Sequence, residues 1–362
     1  MSEPRKGRWS KGLFFKLPAL PRRRTDFMEL SRWLQCVLMS CVVTGAVLAG
    51  LVFPASVAAQ SPPPDRQVAI TIDDLPAGNS DRMPAAMIIE MTTNLLAALQ
   101  QQKVPAVGFV NEKKIYKWGE VDERIKALQM WLDAGFDLGN HTYSHLSLNQ
   151  VGLKAWEDDV VQGESVLKLL LAQRNKKLRY FRHPYLDTGR DLLTRREAEA
   201  FLVERGYRIA PVTVDAWDWN FGGVYEEAKK RGDTATQQEL VKEYLAYTDA
   251  EFAYSEQLSL QLLGYQPKQI LLLHANRMEA EHFNELVDVI RKRGYRFITL
   301  EDALGDQAYG LPDTFIGEEG TGWLDHWAIT MGKPPQGSPR FPKWVDERYK
   351  VLPLPQQPQQ PH

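Results

Sequence analysis

The feature that most constrains this 362-residue chain is an alternation that begins at Gln67. Short apolar runs alternate from there with longer amphipathic ones. Residues 68–72, 106–110, 136–138, 178–181, 208–214, 270–273 and 296–298 read as strands. Helical spacing of apolar residues covers 83–102, 122–134, 153–171, 192–205 and 280–293, and a long polar helical stretch covers 225–263. Strands separated by helices of this length imply a parallel sheet, because each parallel neighbour needs a crossover connection. Seven such strands predict an α/β fold, a distorted (β/α)7-type barrel, over residues 67–305. Residues 306–350, rich in Gly, Pro and Trp and without periodicity, read as an irregular C-terminal extension over one end of the barrel, and 351–362 as a disordered Pro/Gln tail.

The strand ends carry the chemistry. Asp73, His141, Arg182, Asp215 and His274 each fall at or just past the C-terminal end of a different strand. In a β/α barrel those ends converge on one face, where catalytic groups gather. His141 and His145 stand four residues apart and can close on one metal ion, although two histidines on a loop are also common as capping or surface residues. Zinc in catalytic sites commonly takes three protein ligands and leaves a position for water, so one Asp with these two imidazoles would complete a set. Asp73-Asp74 follows a strand that reads as buried. Adjacent carboxylates there repel unless a cation compensates, and adjacent side chains point apart, which suits one ligand and one base.

Arg182-His183-Pro184-Tyr185 forms a turn, with Pro184 biasing His183 toward extended geometry. Arg182 can hold a site carboxylate ionised while the turn offers N–H groups to an oxyanion. His183 reads as a packing or substrate-facing residue rather than a ligand. Asp215-Ala216-Trp217-Asp218-Trp219 places two acids and two indoles at a strand end, where the indoles can stack on sugars or pack in the core. An acid there can orient His274 and raise its pKa.

Taken together, TIDD (71–74), HTYSH (141–145), RHPY (182–185), DAWDW (215–219) and LLLH (271–274) resemble, in order, the five motifs of the polysaccharide deacetylases, carbohydrate esterase family 4, also called the NodB homology domain. The resemblance covers roughly residues 67–304 and implies a metal-dependent hydrolase that removes N- or O-acetyl groups from carbohydrate, N-acetyl being favoured. It implies Asp73 as general base and Asp74, His141 and His145 as metal ligands, usually of Zn²⁺, with Co²⁺ or Ni²⁺ as alternatives. It further implies Arg182 tuning Asp73, the Tyr185 backbone facing the oxyanion, His274 as general acid and Leu272 lining the acetyl pocket. The acid behind His274 is Asp215 or Asp218. Trp217 and Trp219 are expected to touch substrate. The sequence departs from the family at Leu75-Pro76 and at Leu186, where glycine is frequent, and 221–266 is a long connection that is expected to cover the site.

The address follows from residues 1–59. Eight basic residues among the first 24 oppose a single acid, Glu3, and residues 34–53 carry no charge. With Val57-Ala58-Ala59 this reads as a signal peptide cleaved after Ala59, or else an uncleaved membrane anchor, ahead of a Pro-rich linker at 60–66. The periplasm, cell envelope or medium is therefore the expected location, and the N-terminal segment the only expected membrane contact. Both cysteines, Cys36 and Cys41, lie in that segment, which leaves the rest of the chain no disulfide, thiolate ligand or thiol nucleophile. A net charge of −2 gives no sign of a nucleic-acid partner, and an acetylated poly- or oligosaccharide is the expected one. The alternatives are a cyclic amide or imide hydrolase on the same barrel, against which export argues, and a carbohydrate-binding protein without catalysis, against which an intact Asp73 and His274 argue.

Overall fold

The structure, a computed structural model, describes residues 65–352. The N-terminal segment 1–59, most of the linker and most of the 351–362 tail lie outside the described residues. Among the described residues no helix is long and apolar enough to cross a membrane.

Eight strands form one sheet: β1 (Arg66–Leu75), β2 (Ala106–Val110), β3 (Asp137–Asn140), β4 (Tyr180–Phe181), β5 (Arg208–Ile209), β6 (Val214–Asp215), β7 (Gln269–His274) and β8 (Tyr295–Ile298). The helices in chain order are α1 (Ala85–Gln101), α2 (Val121–Asp133), α3 (Leu148–Val151), α4 (Leu153–Gln162), α5 (Ser165–Ala172), α6 (Leu192–Glu204), α7 (Asp218–Lys230), α8 (Thr234–Leu263), α9 (Arg277–Lys292), α10 (Leu300–Ala303), α11 (Trp323–Thr330) and α12 (Lys343–Lys350). Every strand pairing is parallel, in the order β5-β4-β3-β2-β1-β7-β6. β1 is the hub. Its N-terminal half pairs with β8, its C-terminal half with β2, and residues 68–73 with β7. Buried on both faces, it reads as a continuous apolar run in which Val68, Ala69, Ile70 and Ile72 are at most 1% exposed.

The single strand expected over 208–214 is two. β5 pairs with β4 at one edge of the sheet, and β6 pairs with β7 at the other. The chain itself spans the gap and curls the sheet into a barrel. Pro211 is the physical reason for the break, since it has no N–H to give a ladder. The freed carbonyls find other donors: Val212 O accepts from Trp323 N (2.6 Å) and Thr213 O from Ser255 Oγ (3.1 Å). The barrel's seam is thus sealed by α8 and by the C-terminal extension. That extension is more regular than expected, since it carries α11 and α12.

The helix expected over 153–171 breaks into α4 and α5 at Gly163-Glu164, and the break serves the His141–His145 loop. Tyr143 N donates to Asp159 O (2.9 Å), and Ser144 donates through its N and Oγ to the Asp159 carboxylate (3.0 and 2.8 Å). A Cβ on Gly163 would lie 2.8 Å from Tyr143 N and 2.9 Å from Asn140 Oδ1. Gly163→Ala should therefore push the histidine loop outward and destabilise the fold by about 1–3 kcal/mol, the usual cost of overpacking. Urea denaturation checks this, and an unchanged midpoint would show that the loop is free to yield.

Candidate active site

The barrel brings all five motifs to one cavity of about 950 Å³. Asp73 and Asp74 close β1, His141 and His145 flank a turn after β3, Tyr185 follows β4, Asp215 closes β6 and His274 closes β7. Six of the eight described non-glycine residues with positive φ are in these motifs or directly after one: Asp74 (72°), Thr142 (61°), His145 (63°), Tyr185 (57°), its neighbour Leu186 (58°) and Trp217 (53°). Such backbone is costly, and its concentration at one cavity marks a site held in place by its surroundings.

Asp74, His141 and His145 offer ligand atoms that all lie within 4.8 Å of one another. His141 Nδ1 bonds Arg182 O (2.9 Å), which fixes the tautomer and turns Nε2 toward Asp73 and Asp74. Burial holds both imidazoles neutral, lowering His145 to about 4 and His141 well below its ordinary value. Burial would raise Asp74, but Lys114 at 2.8 Å, His145 and the other nearby imidazoles outweigh it and keep the carboxyl well below the usual range. One anionic oxygen and two neutral imidazole nitrogens at this spacing fit a divalent cation.

Asp73 is different. Burial pushes it up to about 6, against the pull of Arg182, whose Nη1 lies 3.7 Å from Asp73 Oδ2. Its Oδ1 meets no hydrogen-bond donor among the described residues. Arg182 is itself fully buried, lies against the Phe109 ring and donates to Thr71 Oγ1 (2.7 Å), so its position is fixed from the core.

Across the cavity, His274 pairs in register with Asp73 on adjoining strands. The structure decides which acid stands behind it. His274 Nδ1 and N both meet the Asp218 carboxylate at 2.8 Å, and Asn276 Nδ2 donates to the same group (2.7 Å). Burial would lower His274, yet Asp218's charge and hydrogen bond carry it up to about 9. Asp215 instead accepts from Trp217 N (2.9 Å) and faces the cavity, its carboxyl raised by burial. Tyr185, Leu272, Trp217 and Trp219 line the cavity as expected. His183 is packed, stacked on Trp156 at 5.5 Å. The 221–266 stretch contributes Tyr247, Glu251 and Tyr254 to the cavity wall.

Sequence reasoning missed Lys114 and Asn276. Lys114 lies four residues past the end of β2, in the short turn Glu112–Ile115, where no strand-end phase marks it. Asn276 caps α9, accepting from Glu279 N (2.9 Å), and Asn-x-x-Glu is a readable helix-start signature.

Fold and site together define a class, an α/β barrel with one candidate three-ligand metal centre facing a buried carboxylate and a carboxylate-backed histidine. Residues 60–201 match the model of the polysaccharide deacetylase family, the family that the five motifs resemble. A peptidoglycan-N-acetylglucosamine deacetylase of Bacillus cereus is 27% identical over 153 residues, which is 42% of this chain and 46% of that relative. The chain thus spans less than half of that relative's length. Among solved structures, a family 4 carbohydrate esterase from Streptomyces lividans is 19% identical, covers 67% of this chain and 97% of its own, and has a TM-score of 0.42. The chitin deacetylase of Colletotrichum lindemuthianum is 22% identical over 67% and 92%, at 0.45. A pseudoenzyme of the same family from Bacillus anthracis is 20% identical over 67% and 69%, also at 0.45.

Because the folded pair binds its proton more tightly than the unfolded chain, the His274–Asp218 contribution to stability is full below about 6.5 and fades as pH rises through about 9. Asp218→Asn should drop the His274 midpoint, followed by NMR titration, far below that of the parent. Asp215→Asn should shift it much less. Equal shifts would return the backing role to both acids.

Proposed function

We propose that this protein is an exported, metal-dependent hydrolase that removes acetyl groups, N-acetyl in preference to O-acetyl, from an acetylated carbohydrate. The observation that carries the reading is the placement of Asp74, His141 and His145 within 4.8 Å of one another, beside the buried carboxylate of Asp73 and the Asp218-backed His274. The family match and the peptidoglycan deacetylase relative support the substrate class.

Asp74, His141 and His145 would hold a divalent cation, Zn²⁺ by ligand type, with Co²⁺ or Ni²⁺ able to replace it. Such a cation supplies Lewis acidity for the acyl carbonyl and lowers the pKa of a water. Asp73, whose carboxyl burial pushes up to about 6 against the pull of Arg182, takes the proton from the attacking water once ionised. The backbone N–H of Tyr185, in its left-handed turn, faces the oxyanion of the tetrahedral carbon. His274, protonated up to about pH 9, passes its proton to the leaving nitrogen while Asp218 stabilises the cation that must persist until then. An amine leaves poorly without that proton, which suits an enzyme directed at amides. Leu272 bounds the space for the acetyl methyl. Residues 1–59 direct export, which N-terminal sequencing of the processed protein tests; an N-terminus near Gln60 is expected.

His141→Ala should lose the metal and acetate release together, read by elemental analysis and an acetate assay. Full metal content in that variant would remove the ligand assignment. The pH profile of kcat/KM should rise as Asp73 ionises and fall through about 9 as His274 loses its proton. Charge from a bound cation would place the rising limb below about 6. Asp73→Asn should abolish turnover with metal still bound. His274→Ala should cost roughly 10²–10⁴-fold on an N-acetyl sugar and less on an aryl acetate, whose leaving group hardly needs a proton. Equal losses on both, with the basic limb intact, would give His274 a different role.

A further inference from the structure

Trp217 and Trp219 take no part in the acetyl-transfer steps, and neither does the C-terminal extension. The two meet. Trp217 and Trp219 lie against each other with ring centres 5.9 Å apart and planes within 24°. Phe341 sits 5.5 Å from Trp217 and Tyr349 sits 5.0 Å, edge-on, from Trp219. Phe341 also reaches the core through Phe221 (5.1 Å) and Tyr247 (5.3 Å). All four flat side chains of this wall line the same cavity as Asp73, Asp74 and His274. Despite apolar neighbours, Trp217 and Trp219 remain 41% and 37% exposed, so their free faces look into the cleft.

The extension is not a loose cover. Arg195 on α6 pairs with Asp313 (Nη1–Oδ1, 2.9 Å), which also holds His326 Nδ1 at 2.9 Å, and this set is largely buried. Gly320 N donates to Asp187 (2.7 Å) beside the Tyr185 turn, where a Cβ would come within 2.3 Å of Tyr185 O. At the other end, Tyr349 fills the space over Gly223, where a Cβ would lie 2.7 Å from its ring. The extension is therefore fixed against both the RHPY turn and the DAWDW turn. A cavity of about 950 Å³ is at the upper end of what encloses a drug-sized ligand, more than one acetylated ring requires.

We propose that Phe341 and Tyr349 of the extension, with Trp217 and Trp219, form a stacking subsite for the sugar ring next to the one being deacetylated, so that the extension sets the preference for oligomers over single sugars. The proposal rests on the deacetylase reading. Flat apolar faces beside an acid-lined cleft match a pyranose, which presents C–H groups on its faces and hydroxyls at its rim. The carboxylates of Asp215, Glu251 and Asp325 in the same cavity stand ready to accept those hydroxyls.

The test measures acetate release by the full chain from mono-, di- and tetrameric N-acetylglucosamine and from an aryl acetate. Phe341→Leu and Tyr349→Leu keep apolar volume and lose the flat face; Phe341→Ala is the harsher companion. The parent should gain in kcat/KM with chain length. The leucine variants should lose about 3–10-fold on the tetramer, mainly through KM, with the monomer and the aryl acetate unchanged. Equal losses at every length, or no loss on the tetramer, would overturn the subsite. If the parent releases no acetate from any sugar, the deacetylase reading fails instead. Quenching of tryptophan fluorescence by the tetramer then decides the subsite alone: weaker binding by Phe341→Leu supports it, and no binding by the parent or equal binding by both removes it.

Discussion

Two adjacent carboxylates buried at the end of the hub strand are the constraint from which the rest of this structure follows. Asp73 and Asp74 close β1, where water is scarce and an uncompensated charge is very costly. The barrel answers each differently. Asp74 meets Lys114 and the imidazoles of His145 and His141, and stays firmly ionised. Asp73 has Arg182 at 3.7 Å and a free oxygen, and is left on the edge of protonation. One sequence pair thereby becomes a firmly ionised carboxylate fit to hold a cation and a second one poised to exchange a proton, separated by environment rather than by residue type.

The same logic runs on the adjoining strand β7. His274 alone would be a neutral buried imidazole. Asp218, held by His274 N and Asn276 Nδ2, reverses that and makes it a cation at neutral pH. The Asp73 carboxyl and the His274 imidazole are thus pushed apart in pKa on two neighbouring strands that share register. The surrounding backbone holds them there, with left-handed residues at Asp74, His145, Tyr185 and Trp217 that only a well-packed frame sustains.

The extension belongs to this frame rather than to its outside. Pro211 opens the barrel seam, and Trp323 N closes it onto Val212 O. Phe341 and Tyr349 then continue the wall that Trp217 and Trp219 begin. A chain ending after β8 would leave the seam carbonyl without that donor and the indoles without their backing.

Much was legible in the sequence because it is local. Apolar period and strand-end phase give the parallel barrel, and the five motifs give the candidate metal ligands, the carboxylate pair and the histidine, since a strand end fixes where its next residue points. The choice of Asp218 over Asp215 was not legible. Both acids sit within one short turn, and the αL backbone of Trp217 swings Asp218 under His274 while Asp215 bonds back to Trp217 N. Lys114 and Phe341 were equally hidden, since each acts across 40 residues or more on a group it meets only when the sheet curls. Sequence alone determined which chemical groups gather at the barrel mouth. Only the tertiary structure decided their charge states and which side chains wall them in, because burial and long-range contact, not residue identity, set both.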